Sequence, residues 1–122
     1  MHYVPRKYKG TPVFQHVRRY LQRAATKGRF VHYGDLASLM GLPRRGHHMA
    51  CETGHTSGEI SEHTHAQGVP MLSAIVVRRD TGMPGQGFFT LAEQLGRLPR
   101  RASAGAKRRF WKKEVRAVFA TW

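Results

Sequence analysis

The side chains best suited to hold a metal or move a proton gather between residues 47 and 65. His47, Cys51 and His55 recur at a spacing of four, which would stack them on one face of an unbroken helix. His63 and His65 follow, with Glu52, Glu59 and Glu62 beside them. Imidazole and thiolate suit zinc, and three such ligands plus water make an open catalytic site. Glu59, Glu62 and Asp80 could hold Mg²⁺ for a nuclease. Other features of the pattern weigh against both. Glu52-Thr53-Gly54 reads as a helix break that separates His55 from its neighbours, and His63 and His65 would face different ways. No Cys-x-x-Cys or His-Glu-x-x-His spacing occurs. Asp80-Thr81-Gly82 is a turn signal. A dyad of Cys51 with a histidine has no third group to orient it. No cofactor is therefore expected, and the histidines read as polar residues that add affinity for a polyanion as pH falls. A metal-dependent nuclease built on residues 47–65 stays as an alternative.

The cations carry a plainer message. Among 122 residues there are 21 Lys and Arg against 7 Asp and Glu, a net charge of +14 with histidine neutral. Self-repulsion of that size opposes folding, so a polyanionic partner is the natural explanation. Ten of the cations fall in residues 1–50 and eleven in 51–122, so they do not form one basic tail. Hydrophobic residues make up 40%, enough to bury a core within one domain. The single Cys excludes an intramolecular disulfide and a four-Cys zinc site. No apolar run is long enough to span a bilayer, and MHYVPRKYKGTPVF lacks the apolar stretch of a secretory signal. A soluble protein of a reducing compartment, the cytoplasm, is expected.

The elements that position these groups follow from periodicity and breakers. Residues 1–11 read as a basic, aromatic arm containing Tyr3, Arg6, Lys7, Tyr8 and Lys9. A helix opens at Pro12 and runs to Gly28, with Val13, Phe14, Val17, Tyr20, Leu21 and Ala24 on its apolar face. Arg29 to His32 could form a small strand. A second helix spans about Gly34 to Met40, with Leu36, Ala37, Leu39 and Met40 inward, and Gly41 at its left-handed end. Pro43 then opens a third helix that begins with Arg44, Arg45, His47 and His48, giving a helix-turn-helix. Thr56-Ser57-Gly58-Glu59 reads as a capping box for a further helix reaching Gln67. Met71 to Val77 reads as a buried strand, and residues 83–87 as a Gly/Pro loop. A short helix over Phe88 to Leu95 closes at Gly96. Residues 97–106 read as a basic, mobile linker, and 107–122 as an amphipathic helix packing on a domain of residues 12–96. Its apolar side is Phe110, Trp111, Val115, Val118, Phe119 and Trp122; Arg108, Arg109, Lys112, Lys113 and Arg116 lie mostly opposite. The order of elements gives a mixed α+β domain, winged-helix-like, with a small sheet.

Residues 29–89 resemble the DNA-binding domain of the alkylguanine-DNA alkyltransferase and alkyltransferase-like family. The resemblance rests on Arg29-Phe30-Val31-His32-Tyr33-Gly34-Asp35-Leu36-Ala37, then Met40-Gly41-Leu42-Pro43, then Pro70-Met71-Leu72 leading to Val76-Val77, and Gly82, Gly85 and Gly87-Phe88. It covers about half the chain. In the family a Pro-Cys-His-Arg run precedes the Val pair; here Leu72-Ser73-Ala74-Ile75 stands there, without thiol, imidazole or guanidinium. A Ser without a base does not replace an activated thiolate, so alkyl transfer is not expected. The insertion around residues 50–67 is also longer than the family's. The resemblance implies that Tyr33 lies against a target phosphate, and that an Arg of the recognition helix (Arg45 with a gap, or position His47 without one) enters the base stack.

The expected function is thus non-enzymatic binding of duplex DNA. Tyr33, Arg44, Arg45, His47 and His48 would make the helix-turn-helix contacts. Arg78, Arg79, Arg108, Arg109, Lys112, Lys113 and Arg116 would meet phosphates. RNA is an alternative partner, since composition does not separate it from DNA. An acidic protein surface is another, and so is a protein partner acting on DNA. Membrane contact is not expected. The protein could act as monomer or homodimer.

Overall fold

The computed structural model describes residues 7–122. Tyr3 and Arg6, part of the expected arm, lie outside the described residues. Helix α1 (Pro12–Thr26) begins at the Thr11 cap, whose hydroxyl accepts the Phe14 N–H at 3.2 Å. Its inward face is Phe14, Val17, Leu21, Ala24 and Ala25. Tyr20, expected on that face, is 37% exposed. Gly28, at φ +66°, ends the helix with Arg29 donating back to the Ala24 carbonyl at 2.8 Å.

Strand β1 (Val31–His32) leads directly into helix α2 (Tyr33–Leu39). The Asp35 carboxylate accepts the His32 N–H at 3.1 Å and so fixes the start of α2. Gly41, at φ +72°, turns the chain out of α2 as expected. The next helix does not open at Pro43. Gly46 takes φ +102°, and helix α3 begins only at His47. Arg44 is drawn back onto α2, donating to Ser38 Oγ at 2.6 Å and to Asp35 at 3.2 Å. Arg44 and Arg45 therefore sit in the turn before the helix rather than in its first turn.

Helix α3 (His47–Ala66) is continuous, which corrects the expected break at Glu52-Thr53-Gly54 and the capping box at Thr56–Glu59. Its buried stripe is Thr53, Thr56, Ser57, Ile60, Ser61 and Thr64, and only one of these is aliphatic. The hydroxyls satisfy themselves locally: Thr53 donates to Met49 O at 2.8 Å and Thr56 to Glu52 O at 2.9 Å. Such small side chains let neighbouring backbone come close, so the stripe packs without an apolar period. Glu59 does not cap its own helix. It is buried and accepts the backbone N–H groups of Lys7, Tyr8 and Lys9 at 2.9–3.1 Å. The last residues of the expected arm are thereby held on α3, and Glu52 adds contacts from Lys7 Nζ and the Tyr8 hydroxyl.

Leu72–Ile75, read as strand, form a 3-10 turn, and strand β2 is only Val76–Val77. It pairs in parallel with β1, Val31 opposite Val76 and His32 opposite Val77. The reason for the difference lies in Ser73, whose N–H is taken by Ser61 Oγ at 2.9 Å and is lost to any ladder. The 3-10 turn is wholly buried against α1, α3 and α5. Helix α4 (Gln86–Gln94) starts two residues before Phe88 and buries Phe88, Phe89, Leu91 and Ala92. Gly96, at φ +77°, follows it. Among the described residues the architecture is α+β: five α-helices and a two-stranded parallel sheet.

Residues 97–106 depart from the expected mobile linker at their start. Leu98 is buried, and Arg97 is clamped by three partners. Its guanidinium donates to Glu114, to the Val69 carbonyl and to His65 Nδ1, each at 2.8 Å. Glu114, itself buried, also accepts the Met71 N–H at 2.8 Å. Helix α5 (Ala104–Thr121) begins at a Ser103 cap, and Trp111 donates its indole N–H to Ala74 O at 2.8 Å. Glu114, Val115 and Val118 are its buried residues. The Arg97–Glu114 node thus ties α5 to the end of α3 and to the chain at Val69–Met71.

Two predictions follow from this node. Arg97→Met leaves Glu114 buried without its cation, and unfolding in urea should show a loss of about 3 kcal/mol; a loss under about 0.5 kcal/mol would mark Arg97 as a solvated surface charge. The second concerns pH. His65 must be unprotonated at Nδ1 to accept from Arg97. Burial, then the Arg97 charge, lowers its pKa below the ordinary 6.5, with Glu114 opposing. His63 is lowered too, by burial and then by Lys9 and Arg18. The unfolded chain therefore takes up these protons first. Stability should be full above pH about 6.5 and fall as the pH drops below it. His65→Gln should flatten part of that fall; a wild-type curve flat from pH about 7.5 to 5.5 would contradict the assignment.

Candidate nucleic-acid groove

A groove of about 1120 Å³ runs between the exposed half of α3 and the loop that follows β2. Its depth comes from small residues. Ala50, Gly54 and Gly58, spaced at helical repeats on α3, line it together with Ser57 and Ser73. A Cβ added at Gly54 would meet nothing within 4 Å, so the space there is open. Phe88 and Leu91 of α4 supply an apolar wall.

The rim is cationic. Arg44, Arg45, Arg78 and Arg79 line the groove, and Asp80 is the one acid among its lining residues. These arginines divide into two kinds. Arg44 is paired with Asp35, and Arg78 with Asp80 at 2.8 Å. Arg45 and Arg79 are exposed and, among the described residues, make no ion pair. Asp35 is pushed up by burial, but the His32 N–H and the Arg44 guanidinium outweigh this and hold its carboxyl below the usual range. Asp80 is held low by its hydrogen bonds from Arg78. Both acids thus remain charged and keep their arginines in place at neutral pH.

Tyr33 is at the junction of the two walls. Its hydroxyl oxygen accepts the Gly85 N–H at 3.0 Å, fastening the Gly-rich loop to the start of α2. Burial pushes its phenol up, with the Gly85 N–H and Arg78 opposing, so the hydroxyl keeps its proton near neutrality. The loop is braced further by Arg78 N–H to Met83 O at 2.8 Å and Gly82 N–H to Arg78 O at 2.9 Å. The α3 N-terminus opens beside Arg44 and Arg45 with a Gly46 cap, no capping side chain and no acid in its first turn. Its amides therefore favour an anion.

The histidine segment is dispersed. His47 and Cys51 meet, Nε2 to Sγ at 3.3 Å, and Cys51 is exposed on the groove. Although α3 is continuous, His55 turns to Glu59 at 3.2 Å. His63 packs edge-on against Phe14, and His65 is held by Arg97. No group of three His, Cys, Asp or Glu residues is placed to hold a metal among the described residues. Of the acids considered for Mg²⁺, Glu59 faces the Lys7–Lys9 amides and Asp80 faces Arg78. Ser73 is buried, bonded to Ser61 Oγ through its hydroxyl and to the same oxygen through its N–H. His48 is exposed at the head of α3. Arg108, Arg109, Lys112, Lys113 and Arg116 are exposed on α5 and do not line the groove. The groove residues that periodicity missed are the small ones, Ala50, Gly54, Ser57 and Gly58, because nothing in their types announces a void.

No family model matches this chain, and no curated protein or solved structure matches it. No helix among the described residues is long and apolar enough to cross a membrane.

The Tyr33–Gly85 bond is directly testable. Tyr33→Phe should remove one hydrogen bond worth about 1 kcal/mol and speed amide exchange at Gly85 more than at Val76 or Val77. Unchanged exchange at Gly85 would show that the loop is held by other contacts.

Proposed function

We propose that the chain is a non-enzymatic, cytoplasmic protein that binds duplex DNA in the groove between α3 and the loop 78–87. The observation that carries this reading is the groove itself, lined by four arginines and a single acid. Arg45 and Arg79 stand on opposite walls and, among the described residues, pair with no acid, so each is available to a phosphate. Arg44 and Arg78 are held by Asp35 and Asp80, which orients them at the rim. The uncapped start of α3 adds backbone donors. On this reading the architecture is winged-helix-like, α2 and α3 forming the helix-turn-helix and the loop 78–87 acting as the wing. That is also what the resemblance to the alkyltransferase-like family implies.

Affinity in such a site is mainly electrostatic, since few side chains suited to reading base edges lie on the exposed half of α3. Fluorescence anisotropy of a labelled duplex at several salt concentrations, with EDTA present, tests the reading. Log affinity should fall steeply with log salt. Arg45→Ala with Arg79→Ala should reduce the slope by about 2 and the affinity by about tenfold or more. Gly54→Leu keeps every charge and favours the helix, yet fills the groove, and should weaken binding as well. Retained affinity in both variants would overturn the groove as the site. Tighter binding to duplex RNA would move the assignment to RNA, and no binding near physiological salt would move it to an acidic protein surface.

A further inference from the structure

A second surface shares no lining residue with the groove. Phe30 is 46% exposed, the most exposed large hydrophobic side chain described. It follows directly on the Gly28 turn that ends α1, where the Arg29 N–H is tied to Ala24 O, so its backbone is fixed. Two half-buried rings of α5 hold it from behind. Phe119 meets it edge-on at 5.5 Å between centroids, and Trp111 lies at 6.2 Å. Trp111 is itself anchored by its bond to Ala74 O. The three rings form a rigid apolar step open to solvent on the Phe30 side.

Exposed cations neighbour these rings along the chain. Arg29 precedes Phe30 in the chain and is exposed. Lys112 and Arg116 lie seven and three residues before Phe119 on α5, the spacing that puts them on its flank. Arg108 continues the same row. None of these cations makes an ion pair among the described residues, and the only acid of α5, Glu114, is turned inward to Arg97. An aliphatic protein partner would gain nothing from those neighbouring charges, and a duplex hides its base faces. A flat apolar surface bordered by unpaired cations is complementary to a flat apolar group carried on an anionic backbone.

We propose that Phe30, backed by Trp111 and Phe119, is a stacking platform for unpaired nucleobases, with Arg29, Arg108, Lys112 and Arg116 on the adjoining phosphates. The platform binds a single strand, DNA or RNA, at a surface separate from the groove lining.

The test uses short labelled oligothymidylate and oligouridylate, titrated against the full chain carrying Trp122→Phe, which leaves Trp111 as the reporter indole. Both strands present the same stacking chemistry, and the comparison shows which sugar is preferred. Binding should quench Trp111 fluorescence. Phe30→Ser should weaken single-strand binding about tenfold while leaving the protein folded and its duplex affinity unchanged, and Phe30→Tyr should restore it. Arg45→Ala with Arg79→Ala should do the reverse, reducing duplex affinity and sparing the single strand. Single-strand binding insensitive to Phe30→Ser would overturn the platform while leaving the duplex reading standing. Single-strand binding lost in Phe30→Ser, in a protein that never binds duplex, would support the platform and remove the duplex reading. A dimer abolished by Phe30→Ser, without single-strand binding, would assign the patch to a second copy and overturn the proposal.

Discussion

Excess positive charge is the constraint that organises this molecule. With 21 cationic side chains and 7 acidic ones, every carboxylate position matters to the balance. Four of the seven acids serve geometry. Glu114 sits in the interior and joins Arg97 to the Met71 backbone. Glu59 gathers three consecutive amides of the N-terminal segment onto α3. Asp35 sets the start of α2 and draws Arg44 against it, and Asp80 draws Arg78 along the edge of its loop. Among the described residues, Arg45 and Arg79 at the groove and a row of lysines and arginines on α5 face outward without an ion pair. An anionic partner would relieve the repulsion that the fold itself leaves in place.

Helix α3 links that balance to the proposed function. Its second half is buried among α1, α2 and the 3-10 turn, with hydroxyl side chains that satisfy their own polar groups. Its first half stands exposed above the groove, with Ala50 and Gly54 on the open side. Because it is one rigid element, the packing of Ile60, Ser61 and Thr64 sets where His47, His48 and the free amides of the first turn lie. Tyr33 does the same for the opposite wall by holding the Gly85 loop. Neither wall depends on a long flexible side chain for its position.

Legibility in the sequence followed chemical type. Helix α1 showed in its apolar period and its Pro12 start, α2 in Leu36, Ala37 and the Gly41 stop, and the end of α4 in Gly96. The β1 segment was anticipated as a small strand, but its parallel pairing with β2 was not, because two-residue strands have no alternation to read. Helix α3 was missed as one element for a physical reason: its buried stripe is Thr and Ser, which carry no hydrophobic period, and Gly54 in mid-helix looks like a stop. The capping-box pattern at Thr56–Glu59 misled because the Glu59 carboxylate found better donors in a segment far away in sequence. Arg97 looked like linker charge because its three partners come from three other places in the chain. Tyr33, Arg44, Arg45, Arg78 and Arg79 were singled out individually, whereas the groove that brings them together depends on small residues with no chemical signature.

The most direct test of the account is to follow the backbone amides of the ¹⁵N-labelled protein by NMR as a short blunt duplex is added. Shifts should concentrate at Tyr33 and Gly34, at residues 44–51 and at residues 78–87, the two walls of the groove, and should recede as salt is raised. Shifts confined to α5 and residues 7–11, or absent at all salt concentrations where the protein is folded, would contradict it.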